Sequence, residues 1–185
     1  MVSPELAHNW LYTLRERLTA DQKGRFESYQ AFSGFIHITE LITLDSMMCP
    51  DLVTELRSED WQHNIHQDFR TGLFHNLDYL LTRQPLDPAK HQVLAVMECP
   101  SVIHKVPPGF TACGYDIMDA YFGNSTLTNC GSIPDAFHPS NVNSFGLIDD
   151  CDTAFAIRNT MHQLQPDDPH LGRCEVWLLA RKLLN

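Results

Sequence analysis

The chain has 185 residues, 43% of them hydrophobic and 10% aromatic, and 23 acidic against 13 basic residues give a net charge of −10 at pH 7. Such a composition suits one domain with a real apolar core and excludes a disordered chain. The acidity, with no basic patch among interleaved aromatics, argues against nucleic acid as a partner.

The first residues read as a helix. Ser3 can cap it, Pro4 suits the first helical position and Glu5 favours the positive end. Leu6, Trp10, Leu14 and Leu18 then recur every four residues. Thr19-Ala20-Asp21-Gln22 has a capping-box pattern, which predicts a second helix burying Phe26, Tyr29 and Phe32 and ending at Gly34. Residues 1–34 are thus expected to form a helical segment packing on the rest of a single domain, 1–185.

Residues 35–44 are rich in β-branched side chains. Ile36, Ile38, Ile42 and Leu44 share one parity, which suits a strand with Glu40 as the exception, a helix being the alternative for this segment. Residues 51–84 contain no proline, and Trp61, Ile65, Phe69, Leu73, Leu77 and Leu81 step by four, which predicts a long helix. Pro85 and Pro88 end it. Residues 93–97 read as a buried strand. Residues 110–118 form another, with Cys113, Tyr115 and Ile117 expected on one face. Residues 123–146 are loop-rich, with a short strand expected at 126–130. Asp150 or Asp152 can cap a helix over 153–165 whose inner face is Ala154, Ile157, Met161 and Leu164. Residues 174–184 are apolar at both parities, the mark of a strand buried on both faces. The layout predicts an α+β fold, a mixed or mainly antiparallel sheet covered by helices.

Several segments stand out together. They are Leu44-Asp45-Ser46-Met47-Met48-Cys49-Pro50, Asn76-Leu77-Asp78-Tyr79-Leu80-Leu81, Gly146-Leu147-Ile148-Asp149-Asp150, and Pro166-Asp167-Asp168-Pro169-His170 leading into Cys174-Glu175-Val176-Trp177. They resemble uncharacterised bacterial proteins of similar length, over the C-terminal half and two short segments besides. The resemblance implies a bacterial origin and carries no activity, cofactor or catalytic residue.

The charge is unevenly placed. Between Lys105 and Arg173 the only basic residue is Arg158, against eight aspartates (Asp116, Asp119, Asp135, Asp149, Asp150, Asp152, Asp167 and Asp168) and no glutamate, a local balance of 1 − 8 = −7. Aspartate favours caps and turns, so part of this asymmetry reflects loops. Asp116, Asp119 and Asp135 lack that local account.

Three constellations carry possible chemistry. Cys130 in Thr128-Asn129-Cys130-Gly131, with His138 as base and Asp149 as its orienting group, has the residue types of a cysteine nucleophile. The bland alternative is a structural cysteine beside a turn glycine. In the histidine group His63, His66 and His75, the first two are neighbours on one helix face and, with Glu59 four before His63, form half a shell for a divalent metal. The sequence is not HExxH, and Arg70 on the same face would repel a cation. Asp149-Asp150-Cys151-Asp152 lacks a calcium-loop register, and a helix cap explains it more simply. The six cysteines, Cys49, Cys99, Cys113, Cys130, Cys151 and Cys174, lie 14 to 50 residues apart without a CxxC, and are expected to be mostly reduced and buried, the alternative being one disulfide pair that spacing does not identify.

No phosphate-binding glycine motif or nucleophile-elbow motif occurs. No run approaches the ~20 apolar residues of a membrane span. The first five residues lack the basic and apolar regions of a secretory signal, so a cytoplasmic location is expected. The reading that follows is a cytoplasmic protein-binding module, without a cofactor, in which Asp116, Asp135, Asp149 and Asp150 face a basic protein partner. An immunity- or antitoxin-type inhibitor is one concrete version. The alternative is a small hydrolase using Cys130 with His138, or a metal at His63 and His66. Homo-oligomerisation is left open.

Overall fold

A computed structural model describes residues 10–19, 26–27, 30, 34–44, 72–83, 86–100, 105–119, 124–128, 136–169 and 171–183. Five strands form one antiparallel sheet in the order β1-β4-β7-β5-β6. These are β1 (Leu11–Glu16), β4 (His91–Glu98), β5 (Phe110–Asp119), β6 (Asn124–Ser125) and β7 (Cys174–Lys182). A second, two-stranded sheet pairs β2 (Leu18–Thr19) with β3 (Glu40–Leu41). Among the described residues two helices have full bounds, α1 (Leu77–Arg83) and α2 (Cys151–Leu164). The expected α+β class therefore stands, with every named strand pairing antiparallel.

β7 lies at the centre, as its apolar residues at both parities require. Leu179 pairs with Val96 on one side and Gly114 on the other, and Val96 pairs with Leu11. These in-register residues share one sheet face. Leu11, Leu94, Val96, Trp177 and Leu179 are buried there with Ile42, Leu44, Leu73 and Leu147 from loops. On the opposite face, Val93, Ala95, Leu178 and Ala180 meet Leu80 of α1. Further along, Ile117, Cys174 and Val176 meet Ala154, Ile157 and Met161 of α2. Each fully buried leucine or valine contributes about 1.5–3 kcal/mol. A sheet dry on both faces therefore accounts for much of the gross stabilisation.

The helix expected at the N-terminus is corrected over residues 11–19, which form β1 and β2. A repeat of four is also a multiple of two, so Trp10, Leu14 and Leu18 satisfy a strand face as well as a helical stripe. The intervening residues decide the matter. Leu11, Thr13 and Arg15 are buried on the other side, which a surface helix would not require. Residues 1–9 lie outside the described residues. The second expected helix is consistent where described: Phe26, Glu27 and Gln30 are helical, Phe26 is buried, and Gly34 at φ 77° donates its N–H to Gln30 O at 2.9 Å.

Of the long helix expected over 51–84, the described part begins only at Leu77. Asn76 Oδ1 accepts from Tyr79 N at 3.0 Å. Before it, Phe74 exchanges both backbone hydrogen bonds with Tyr12 along the outer side of β1. Leu73 is accordingly a core residue of the sheet and not of a helix. Trp61, Ile65 and Phe69 lie outside the described residues.

Residues 35–44 form a strand only at Glu40–Leu41, and Ile36 is 82% exposed. The parity exception, Glu40, has a specific cause. Its carboxylate accepts from Arg17 Nε at 3.0 Å and from Arg181 Nη1 at 2.6 Å. Arg17 lies where the chain leaves the large sheet for the small one, and Arg181 is on β7. A carboxylate only 11% exposed is thereby neutralised from both sheets at once. The Arg181 guanidinium also stacks 5.2 Å from the Phe145 ring.

β5 does not keep the expected alternation. Its pairing with β7 shifts between Ala112 and Gly114, leaving Cys113 as the extra residue of a bulge. Cys113 consequently packs with Met118 and Leu179, and Tyr115 and Ile117 pack on the other face. Where a short strand is expected at 126–130, residues 126–128 form a turn after β6 (Asn124–Ser125), and 129–130 lie outside the described residues. Leu164, expected on the inner face of α2, is 50% exposed at its last position.

Replacing Glu40 with leucine leaves two half-buried guanidiniums without their shared acceptor. Chemical denaturation should report a loss of roughly 2–3 kcal/mol; an unchanged midpoint would mean that the clamp is ornamental. Gly114 has φ 139°, and a Cβ there would lie 2.8 Å from Ile148 O and 2.8 Å from Leu147 Cβ. Gly114→Ala should therefore destabilise by about 1–3 kcal/mol, seen as a lower Tm, with Ala112→Gly on the same strand as the milder control.

Candidate functional site

The bulge in β5 seats the loop that carries the acidic residues. Asn143 is the hub of this loop. Its Nδ2 donates to Cys113 O at 2.9 Å and to Asp149 Oδ1 at 2.7 Å. Its Oδ1 accepts from Phe145 N at 2.9 Å and Leu147 N at 3.2 Å. Two backbone N–H donors on one atom and two acceptors around the other fix which end of the amide is oxygen. Ile148 and Tyr115 then exchange backbone hydrogen bonds of 2.8 and 2.9 Å, extending the ladder beside β5.

Asp149, Asp150 and Asp152 are exposed where this loop enters α2. Asp150 is the helix cap that the sequence predicted, its Oδ2 accepting from Thr153 N at 2.7 Å and Thr153 Oγ1 at 2.8 Å. Those bonds, the hydroxyl first, hold its carboxyl below the usual 3.8. Asp152 occupies the first turn, where the partial positive charge of the helix end favours it.

Asp116, expected on the acidic surface, is corrected. Its side chain is fully buried, and its Oδ1 accepts from Ser125 Oγ at 2.6 Å and Ile117 N at 2.8 Å. Thr43 Oγ1 donates to its Oδ2 at 3.3 Å. It stands directly across from Trp177 on β7 and joins β5, β6 and the 34–44 segment from inside. Asp119 is buried as well. Asp135 lies outside the described residues. Among the described residues the acidic surface of this stretch is therefore the entrance of α2, with Asp167 exposed beyond the helix's other end.

Of the expected catalytic groups, His138 and Asp149 fall among the described residues, and no hydrogen bond joins them there. His138 is exposed and caps the 3-10 turn Pro139–Asn141, with its Nδ1 accepting from Ser140 N at 3.2 Å. Asp149 is held by Asn143 and not by that imidazole. Cys130, His63, His66 and Glu59 lie outside the described residues. Among the described residues, no group of three or more His, Cys, Asp or Glu is placed to hold a metal.

One cluster escaped the sequence reading. Cys99, just past β4, has φ 44°, the left-handed region that non-glycine residues rarely adopt. Its thiol donates to Glu175 Oε2 at 3.3 Å, and the same oxygen accepts from Arg158 Nη1 at 3.1 Å. Burial, then the Glu175 carboxylate, pushes the thiol up to about 12 from its ordinary 9.0. The thiol is thus kept protonated, the reverse of what a nucleophile needs. Cys151 lies 4.0 Å from Pro100 O and beside Tyr115, so this cluster adjoins the α2 entrance. The Cys99-Pro100 pair signals a turn, and nothing in the spacing of Arg158 and Glu175 announces their ion pair. Cys99, Cys113, Cys151 and Cys174 are free thiols, and Cys99 is the exposed one of the four.

No family model, curated protein or solved structure matches this chain. Among the described residues no helix is long and apolar enough to cross a membrane.

Two outcomes follow from the titrating groups. A carboxyl held below its ordinary value adds stability that is full above the ordinary value and is lost as pH falls through the lowered one. Asp150→Ala should therefore lower Tm at pH 7, and the gap to the parent protein should narrow below about pH 4. A gap that stays constant to pH 2 would deny the charged cap. For Cys99, a rise from 9.0 to about 12 makes thiolate scarcer by about three orders of magnitude at pH 8. Iodoacetamide should label Cys99 at least about tenfold more slowly in the native protein than in urea. Glu175→Gln should speed the native reaction, as followed by peptide mass.

Proposed function

We propose that the protein acts by binding a basic protein partner, with the loop entering α2 as the contact surface. The observation that carries this reading is the state of charge there. Asp149, Asp150 and Asp152 are exposed, and Arg158, the sole basic residue between Lys105 and Arg173, is engaged by Glu175. The carboxylates are also held in place, Asp149 by Asn143 and Asp150 by Thr153. A surface ordered before contact loses little entropy on binding, and a net negative charge steers a basic partner toward it.

The reading treats residues 1–185 as one cytoplasmic domain whose sheet is covered by helices and whose loops do the recognising. An inhibitor of the immunity or antitoxin type, masking a basic surface, is its most concrete form. Asp135 belongs to the same stretch of sequence and is part of the proposal. The alternative, a hydrolase at Cys130 and His138 or at a metal on His63 and His66, rests on residues of which His138 alone is described.

The test is chromatography of the basic protein fraction of a cell lysate over the immobilised protein and over an Asp149→Asn, Asp150→Asn, Asp152→Asn variant. Asparagine still accepts from Asn143 and still caps a helix, so the variant should fold, as circular dichroism would verify. A partner retained at about 0.05 M salt and released by about 0.3 M, and lost from the variant, is the expected result. Equal retention on both columns, or retention that ignores salt, would sink the proposal.

A further inference from the structure

We draw no further inference here: the strongest candidate, the Cys99–Glu175–Arg158 cluster where β4 ends beside β7, is a single exposed thiol already donating to a carboxylate, and among the described residues no second group points to a ligand for it.

Discussion

Strand β7 has to be kept dry on both faces, and the described architecture follows from that. Val176, Leu178 and Ala180 face one way, Trp177 and Leu179 the other, and all five are buried. One face is met by α1 and α2, whose spacing of apolar residues is helical. Among the described residues the other is met by irregular chain, through Ile42, Leu44, Leu73 and Leu147. Irregular chain brings unpaired backbone with it, which must find partners if it is to be buried. The structure answers with borrowed ladders: Phe74 pairs with Tyr12, Ile148 with Tyr115, and Ile42 N donates to Phe145 O at 3.0 Å.

Charge follows the same logic. Arg181 shares the loop-packed face with Leu179 and Trp177, and its guanidinium is partly buried. Glu40 meets it, and the second oxygen of Glu40 takes Arg17. A single carboxylate thus resolves two cations while fastening the small sheet to the large one. Asp116 plays a comparable part at the far end, where a carboxylate with no exposure gathers a serine, a threonine and a backbone amide. Acidic residues in this chain divide into those that organise the interior and those left outside.

How far the sequence could be read depended on whether local pattern or distant partners set each residue's state. β4, β7 and α2 were legible because continuous apolar runs and a cap-plus-stripe pattern are local signals. β1 was misread because a four-residue repeat fits a helix and a strand alike, and the deciding fact, burial of Thr13 and Arg15, is tertiary. The face of Cys113 was misassigned because a bulge changes parity, and Gly114 alone hinted at it. At the candidate site, the Asp150 cap was legible from order in the chain. The interior position of Asp116 was not, since an aspartate needs partners from β6 and from Thr43, 73 residues away, to be buried. The Cys99 cluster was equally hidden, its three members coming from β7, α2 and the end of β4.

Asn143 uses both ends of its amide, donating twice and accepting twice, and no carboxylate can do that. In a stretch whose acidic residues are all aspartates, this is a position where aspartate would be ruinous. Hydrolysis of that amide, the ordinary ageing reaction of asparagine, would abolish the donors to Cys113 O and Asp149 and set two like charges face to face. The acidic loop thus has at its hub an amide whose donors no carboxylate could supply.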